Sequence, residues 1–351
     1  MLKIALVGYG YWGPNLLRNI VENRLAKVVY CCDRDKKRLE LVHDRYPLIP
    51  LTTDFKAVIS DPAVDAVLVA TPISTHFPLA AQCLKAGKSV FVEKPLAASV
   101  KEAQTLIALA TQHRRTLMVG HTFEYSPPVL KMKEIISRGE LGKIYFVSST
   151  RVNLGLHQKD VSVIWDLAPH DFSIIFFILD EEPNRIQAIG RDCLSACEHA
   201  QAGVKNELPD VAFIGLKFPS GIIAQVEISW LAPSKIRNTT VVGSKKMLVY
   251  DDTEPVEKIK IFDHGVHFKE PETFGEYQLS YRTGDIISPK VETYEPLKAE
   301  LAHFIECVQT GKKPRSDGHS GLRVVRALEY AEKSLRHDGE PSRYNIEKTA
   351  K

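Results

Sequence analysis

An apolar run, Lys3-Ile4-Ala5-Leu6-Val7, enters Gly8-Tyr9-Gly10-Tyr11-Trp12-Gly13, and a helical pattern follows from Asn15 to Asn23. A buried strand that turns through G-x-G-x-x-G into a helix is compatible with few folds. Gly8 permits the tight turn, Gly10 lets a pyrophosphate approach the backbone, and Gly13 lets the helix pack on its strand. The free N–H groups at the helix start favour phosphate, so Tyr11 and Trp12 join the three glycines as candidate cofactor-binding residues. A second strand, Lys27 to Cys32, ends at Asp33, 20 residues past Gly13. A carboxylate there accepts from the ribose hydroxyls and repels a 2′-phosphate, which favours NAD over NADP. Arg34 beside it is the residue that would accommodate NADP.

The alternation continues with helices at 36–45 and 54–60, a strand at 66–70, a helix at 77–86, a strand at 89–92, a helix at 100–113 and a strand at 116–119. Its strands are continuous apolar runs, as expected when both faces are covered. The pattern predicts an α/β, doubly wound parallel sheet over residues 1–120. In such a sheet the ligand crosses the carboxyl ends of the strands, so Thr71, Pro72, Thr75 and His76 are placed to line the cofactor cleft. After Gly120 the character changes. Helical patterns at 129–138 and 163–178 flank a strand at 143–153. Successive strands then follow at 185–192, 209–217, 221–231, 237–243, 246–250 and 257–262. Residues 121–351 therefore read as an α+β domain with a largely antiparallel sheet. The polar segment 263–293 reads as a loop or arm, and helices at 296–309 and 320–337 close the chain.

The 351 residues suit two domains. A net charge of +3 with no Lys/Arg block argues against nucleic acid as a partner. No apolar run approaches the ~20 residues that span a bilayer, so no membrane association is expected. The six cysteines read as reduced thiols of a cytoplasmic protein. Cys193, Cys197 and His199 lack the paired short spacings of a zinc site, so no metal is expected.

Two further stretches carry chemistry. Strand 89–92 runs into Glu93-Lys94-Pro95 at its carboxyl end, facing the same crevice. Removing a hydride from an alcohol requires uptake of the hydroxyl proton and stabilisation of the growing carbonyl. Lys94 can do the second and relay the proton, Glu93 can orient it or contact the cofactor ribose, and Pro95 rigidifies the turn, with a cis Lys-Pro bond in prospect. In Trp165-Asp166-Leu167-Ala168-Pro169-His170, Asp166 and His170 are four apart and share one helix face. The carboxylate can hold the imidazole as a general base near neutral pH. Pro169 suggests a distorted or late-starting helix.

The glycine loop, the Glu93-Lys94-Pro95 turn and the D-x-x-x-H at 166–170 together resemble the glucose–fructose oxidoreductase/inositol dehydrogenase/MocA (Gfo/Idh/MocA) family, over nearly the whole chain. The resemblance implies an N-terminal Rossmann domain and a C-terminal open-faced sheet that carries substrate and oligomer contacts. It implies that Lys94 and His170 are catalytic, with Asp166 paired to the histidine and the substrate, and that His121 lies by the cofactor.

Val119 to Phe123, Arg151 to Gly155, Ser229 to Arg237 and Val242 to Lys246 resemble the sugar-nucleotide branch. That branch oxidises the 3-hydroxyl of UDP-N-acetylglucosamine or its uronic acid, and a PLP aminotransferase consumes the keto sugar for surface polysaccharide. Glu124 and Ser126 depart from the branch's hydrophobic-Tyr-Asn-Pro pattern. The resemblance implies a homodimer or homotetramer through the C-terminal sheet. Lys235, Arg237 and Arg151 can meet phosphate or carboxylate, and Tyr125 and Asn153 can meet sugar oxygens. Each of these charges and aromatics can instead serve the strands and core. The rival readings are an NAD(P)-dependent inositol or free-sugar dehydrogenase and a non-catalytic dinucleotide-binding regulator.

Overall fold

The structure, a computed structural model, describes residues 1–155, 161–194, 208–268 and 279–343. It divides into two compact units, Met1–Tyr125 with Tyr294–Arg326, and Ser126–Thr293 with the chain from Ala327 on. A boundary at residue 120 would leave 294–326 with the second domain, whereas their contacts lie with the first.

The first unit begins β1 (Leu2–Val7), α1 (Gly13–Val21), β2 (Ala26–Cys32), α2 (Lys36–Arg45), β3 (Leu51–Thr52), α3 (Phe55–Ser60) and β4 (Ala66–Val69). It continues α4 (Ile73–Lys85), β5 (Ser89–Glu93), α5 (Val100–Gln112), β6 (Leu117–Gly120) and a 3-10 turn at Thr122–Tyr125. All strand pairs are parallel, in the order β3-β2-β1-β4-β5-β6. This is the doubly wound order whose direction reverses between β1 and β4, where ligands bind. Strand β3, two residues long, gives the sequence pattern no periodicity to follow.

The first unit's core explains its late segment. Leu297, Leu301, Phe304 and Ile305 join Ile4, Leu6, Leu68 and Phe91 in one buried cluster. The Phe91 and Phe304 rings meet edge-on at 5.7 Å. Burying four such side chains supplies about 6–12 kcal/mol gross, enough to fix that segment on the Rossmann unit.

The second unit runs α6 (Pro127–Ser137), β7 (Ile144–Leu154), α7 (Val163–Leu179), β8 (Arg185–Arg191), β9 (Val211–Lys217), β10 (Ile223–Ser229), β11 (Leu231–Gly243), β12 (Met247–Asp251) and β13 (Ile259–Phe262). After these come β14 (Gly265–Phe268), β15 (Leu279–Arg282) and β16 (Ile286–Ile287). Then α8 (Pro296–Thr310) belongs to the first unit, α9 (Gly318–Leu335) passes from one unit's residues to the other's, and β17 is Ser342–Arg343. Among the described residues the main sheet has nine strands, β16-β13-β12-β11-β7-β10-β9-β8-β17. Among the described pairs only β7–β10 is parallel.

Alternation sets the sheet's two faces. Ala212, Ile214 and Leu216 on β9 and Ala224, Val226 and Ile228 on β10 are buried, while Phe213 and Ile223 are exposed. The buried face receives α7, which is apolar almost throughout and packs on β7, β9 and β10. The segment expected as a loop or arm instead carries the β14–β15 hairpin and the edge strand β16. These strands are only two to four residues long within a polar segment, so the composition of the segment hides them. Helix α7 runs unbroken through Pro169 from Val163. The missing proline N–H costs one intrahelical bond, and packing of the buried helix offsets it.

Candidate active site

On the first unit, Gly8 takes φ +98°, and a Cβ there would collide with the Ala70 carbonyl oxygen. A Cβ on Gly13 would lie 2.5 Å from the Gly8 carbonyl oxygen, so α1 packs this closely only with glycine. Gly10 differs, since a Cβ there would have only the Arg38 guanidinium nearby, at 3.6 Å. Its bare backbone is therefore open to a ligand, as a pyrophosphate requires.

Asp33 follows β2. Its Oδ2 accepts from the Tyr9 N–H at 2.7 Å and its Oδ1 from the Asp35 N–H at 2.9 Å. These bonds fix the carboxylate beside the glycine loop, with the Arg38 guanidinium 3.6 Å away. Arg34 is exposed. Tyr11 is 87% exposed and stacks on Trp12.

At the carboxyl end of β4, the Thr75 hydroxyl lies 2.7 Å from both the Thr71 hydroxyl and the Pro72 carbonyl oxygen. His76, expected to line the cleft, is buried and spans two backbone carbonyls at 2.8 Å, Pro95 from Nδ1 and Thr71 from Nε2. A neutral ring donates to one only. Burial lowers its proton affinity, and Lys94 lowers it further. His76 thus ties the β4 and β5 turns together.

The Lys94–Pro95 peptide is cis. Glu93 Oε2 accepts from the Lys94 N–H at 3.3 Å, and the Trp12 side chain also hydrogen-bonds this carboxylate. Burial pushes Glu93 up to about 7, against the lowering effect of the Lys94 charge and these bonds. Glu93 therefore links the glycine loop to the lysine turn.

His121 is buried. Its Nδ1 lies 3.2 Å from Glu124 Oε1, which also accepts from the Ser320 hydroxyl at 3.0 Å. Tyr125, expected near a sugar oxygen, is a core residue. Its hydroxyl lies 3.3 Å from that of Ser316, its ring lies under the Arg315 guanidinium at 4.7 Å, and burial raises its pKa.

The second unit carries the other candidates. Asp166 and His170 share one face of α7, both partly exposed. The Trp230 indole N–H donates to Asp166 Oδ2 at 3.1 Å, so this core tryptophan orients the carboxylate. Arg151, expected as a phosphate or carboxylate contact, is only 3% exposed. Its Nε donates to Asp171 Oδ2 at 2.7 Å, and the Ser149 hydroxyl donates to Oδ1 at 2.8 Å. Arg151 serves the packing of α7 on β7. Arg237, its cross-strand neighbour, lies 3.7 Å from Asp252. Lys235 is exposed and Asn153 partly buried. Cys197 and His199 lie outside the described residues. Among the described residues no helix is long and apolar enough to cross a membrane.

Sequence reasoning missed Asp171, Trp230 as a partner of Asp166, and Glu300. A signal for Glu300 existed, because positions 297, 300, 301 and 304 follow the i, i+3, i+4, i+7 stripe of α8, and a glutamate interrupts it.

A 3-2-1-4-5-6 sheet with an open Gly10 and a loop-facing Asp33 defines a dinucleotide-binding Rossmann domain. Residues 2–121 match the family described as "Oxidoreductase family, NAD-binding Rossmann fold", and residues 129–249 match the "GFO/IDH/MocA C-terminal domain". The chain belongs to the Gfo/Idh/MocA oxidoreductases and is an NAD(P)-dependent enzyme of that family. It is 28% identical over 325 residues to scyllo-inositol 2-dehydrogenase (NAD(+)) of Bacillus subtilis, covering 89% of this chain and 88% of the relative. Its fold is similar to that of UDP-N-acetylglucosamine 3-dehydrogenase GnnA from Acidithiobacillus ferrooxidans, with TM-score 0.77, 20% identity and coverage of 96% and 98%. It is also similar to an Agrobacterium radiobacter oxidoreductase solved with NAD+, L-tartaric acid and magnesium, with TM-score 0.78, 20% identity and coverage of 98% of each chain.

Proposed function

We propose that the protein oxidises the C3 hydroxyl of a UDP-N-acetylated hexose or hexuronate to the 3-keto sugar, for surface polysaccharide synthesis. The observation that carries the redox chemistry is Lys94 at the carboxyl end of β5, one residue from the glutamate that bonds the glycine loop. Bound NAD supplies the hydride acceptor. Gly8, Gly10, Gly13, Tyr11, Trp12, Asp33, Thr71, Pro72, Thr75, Glu93 and His121 are the residues we assign to its binding, with Arg34 the one that would admit NADP.

In this reading Lys94 stabilises the oxygen that becomes the carbonyl. His170 takes the hydroxyl proton, and Asp166, oriented by Trp230, holds the imidazole. Lys235 and Arg237 meet the pyrophosphate, and Asn153 a sugar oxygen. Tyr125, Arg151 and His76 are withdrawn from the ligand contacts because their polar atoms serve the protein. A keto sugar of this kind suits a PLP aminotransferase as the next enzyme. The exposure of Phe213 and Ile223 on the sheet supports a homodimer or homotetramer through the C-terminal sheet, and a cytoplasmic setting is part of the proposal.

The likeness to the inositol dehydrogenase favours a second reading, oxidation of a free polyol. Dependence on the UDP group separates the two. Replacing Lys94 by alanine is expected to cost roughly 10²–10⁴ in kcat with NAD affinity kept. An unchanged rate would remove the lysine from the chemistry.

A further inference from the structure

The first unit carries a cation that neither its core nor the proposed chemistry uses. Arg38 stands in the first turn of α2, and its guanidinium faces the glycine loop. Its Nη1 lies 3.6 Å from Asp33 Oδ2 and 3.6 Å from the place a Gly10 Cβ would take. Its Nε lies 3.7 Å from Asp35 Oδ2. Neither carboxylate is within hydrogen-bond distance, and among the described residues no other group accepts from the guanidinium. The side chain is 49% exposed. An ion pair of this kind adds little to stability, so folding alone does not account for the placement.

Asp33 supplies a reason. Its carboxylate is fixed by the Tyr9 and Asp35 N–H groups, beside a loop whose open Gly10 suits a diphosphate. A bound dinucleotide therefore sets its own negative charge near that of Asp33, with Asp35 adding another. These charges repel unless a cation stands between them. We propose that Arg38 is a cofactor-binding residue whose guanidinium donates to a phosphate oxygen on the adenosine half of the dinucleotide. Two carboxylates hold the group in place electrostatically, while its five N–H donors remain for the ligand. The planar fork matches phosphate geometry. The phosphate is the bridging diphosphate beside Gly10 or, in NADP, the 2′-phosphate beside Asp33. The proposal rests on dinucleotide binding by the first unit and stands whichever hydroxyl is oxidised.

The test is isothermal titration calorimetry of NAD and of NADP with the full-length parent, Arg38→Ala and Arg38→Lys, each freed of nucleotide and checked for folding by thermal unfolding. Arg38→Ala is expected to weaken at least one dinucleotide roughly tenfold or more. Arg38→Lys is expected to recover part of that loss, because the charge returns without the fork. Equal losses for both ligands assign the contact to the diphosphate, and a loss confined to NADP assigns it to the 2′-phosphate. Parent-like affinity of Arg38→Ala for both would overturn the proposal. A parent that binds neither dinucleotide would remove the cofactor site itself, and the proposal with it.

An Asp33→Asn background separates contact from positioning. A residue that acts only through the Asp33 charge loses its effect once that charge is gone. The loss caused by Arg38→Ala is expected to persist in Asp33→Asn, and its disappearance there would overturn the direct contact.

Discussion

The Arg151–Asp171 pair makes a sharp test, because sequence and structure assign Arg151 different work. Arg151 is 3% and Asp171 1% exposed, and their Nε–Oδ2 distance is 2.7 Å. Replacing Arg151 by methionine keeps the aliphatic bulk but strands the carboxylate in the core, with the Ser149 bond at 2.8 Å still in place. Breaking one side of a buried pair costs about 3–5 kcal/mol, a large share of a typical ~5–15 kcal/mol total. Replacing both partners, Arg151→Met with Asp171→Leu, removes the stranded charge and is expected to recover most of that loss.

Denaturant unfolding followed by tryptophan fluorescence suits the measurement. Two of the three tryptophans, Trp165 and Trp230, lie in the unit that holds the pair. A double-mutant cycle then isolates the coupling. A loss below about 1 kcal/mol in Arg151→Met, or a double variant no better than the single one, would refute the structural role. It would also reopen Arg151 as a substrate contact.

Two further outcomes follow from the first unit. Gly10→Ala is expected to fold with parental stability, since only the Arg38 side chain lies near the new Cβ, yet to lose the thermal shift on adding NAD. Gly8→Ala, at φ +98° against Ala70, is expected to lose stability itself. Glu93 gives a pH dependence. Its folded pKa of about 7 exceeds the ordinary 4.5, so the folded state keeps a proton that the unfolded chain has lost between those values. That contribution is fully present below pH 4.5 and is lost as pH rises through about 7. It amounts to at most about 3 kcal/mol. Unfolding free energies of the parent and Glu93→Gln across this window should diverge by that slope, and parallel curves would contradict the buried-acid reading.

Much of the fold was legible because it follows from local rules. Both faces of the Rossmann strands are covered, so Ala66–Val69 and Ser89–Val92 read as unbroken apolar runs. The chemistry-bearing stretches stood out because charge interrupts such runs, as Glu93-Lys94 does. What stayed hidden depends on distant partners. Arg151 reads as a surface charge until Asp171, on another element, is packed against it. Tyr125 reads as a ligand contact until Ser316 takes its hydroxyl. The return of 294–326 to the first unit is a matter of which core accepts Leu301 and Phe304, and periodicity carries no address. The β14–β15 pair does alternate, as Gly265-Val266-His267-Phe268 and Leu279-Ser280-Tyr281-Arg282, but four residues a strand are too few to stand out from a polar segment.

The central claim, that a hydride leaves a UDP-sugar for NAD on this chain, meets its most direct test in a single turnover. NAD-loaded protein is mixed in turn with UDP-N-acetylglucosamine, its uronic acid and myo-inositol, and nicotinamide fluorescence is followed. One turnover reveals reduction even when NADH stays bound. A rise with a UDP-sugar and none with inositol is the predicted result, and the responding sugar identifies the C6 group. A rise with inositol alone, or silence with all three, would contradict the account.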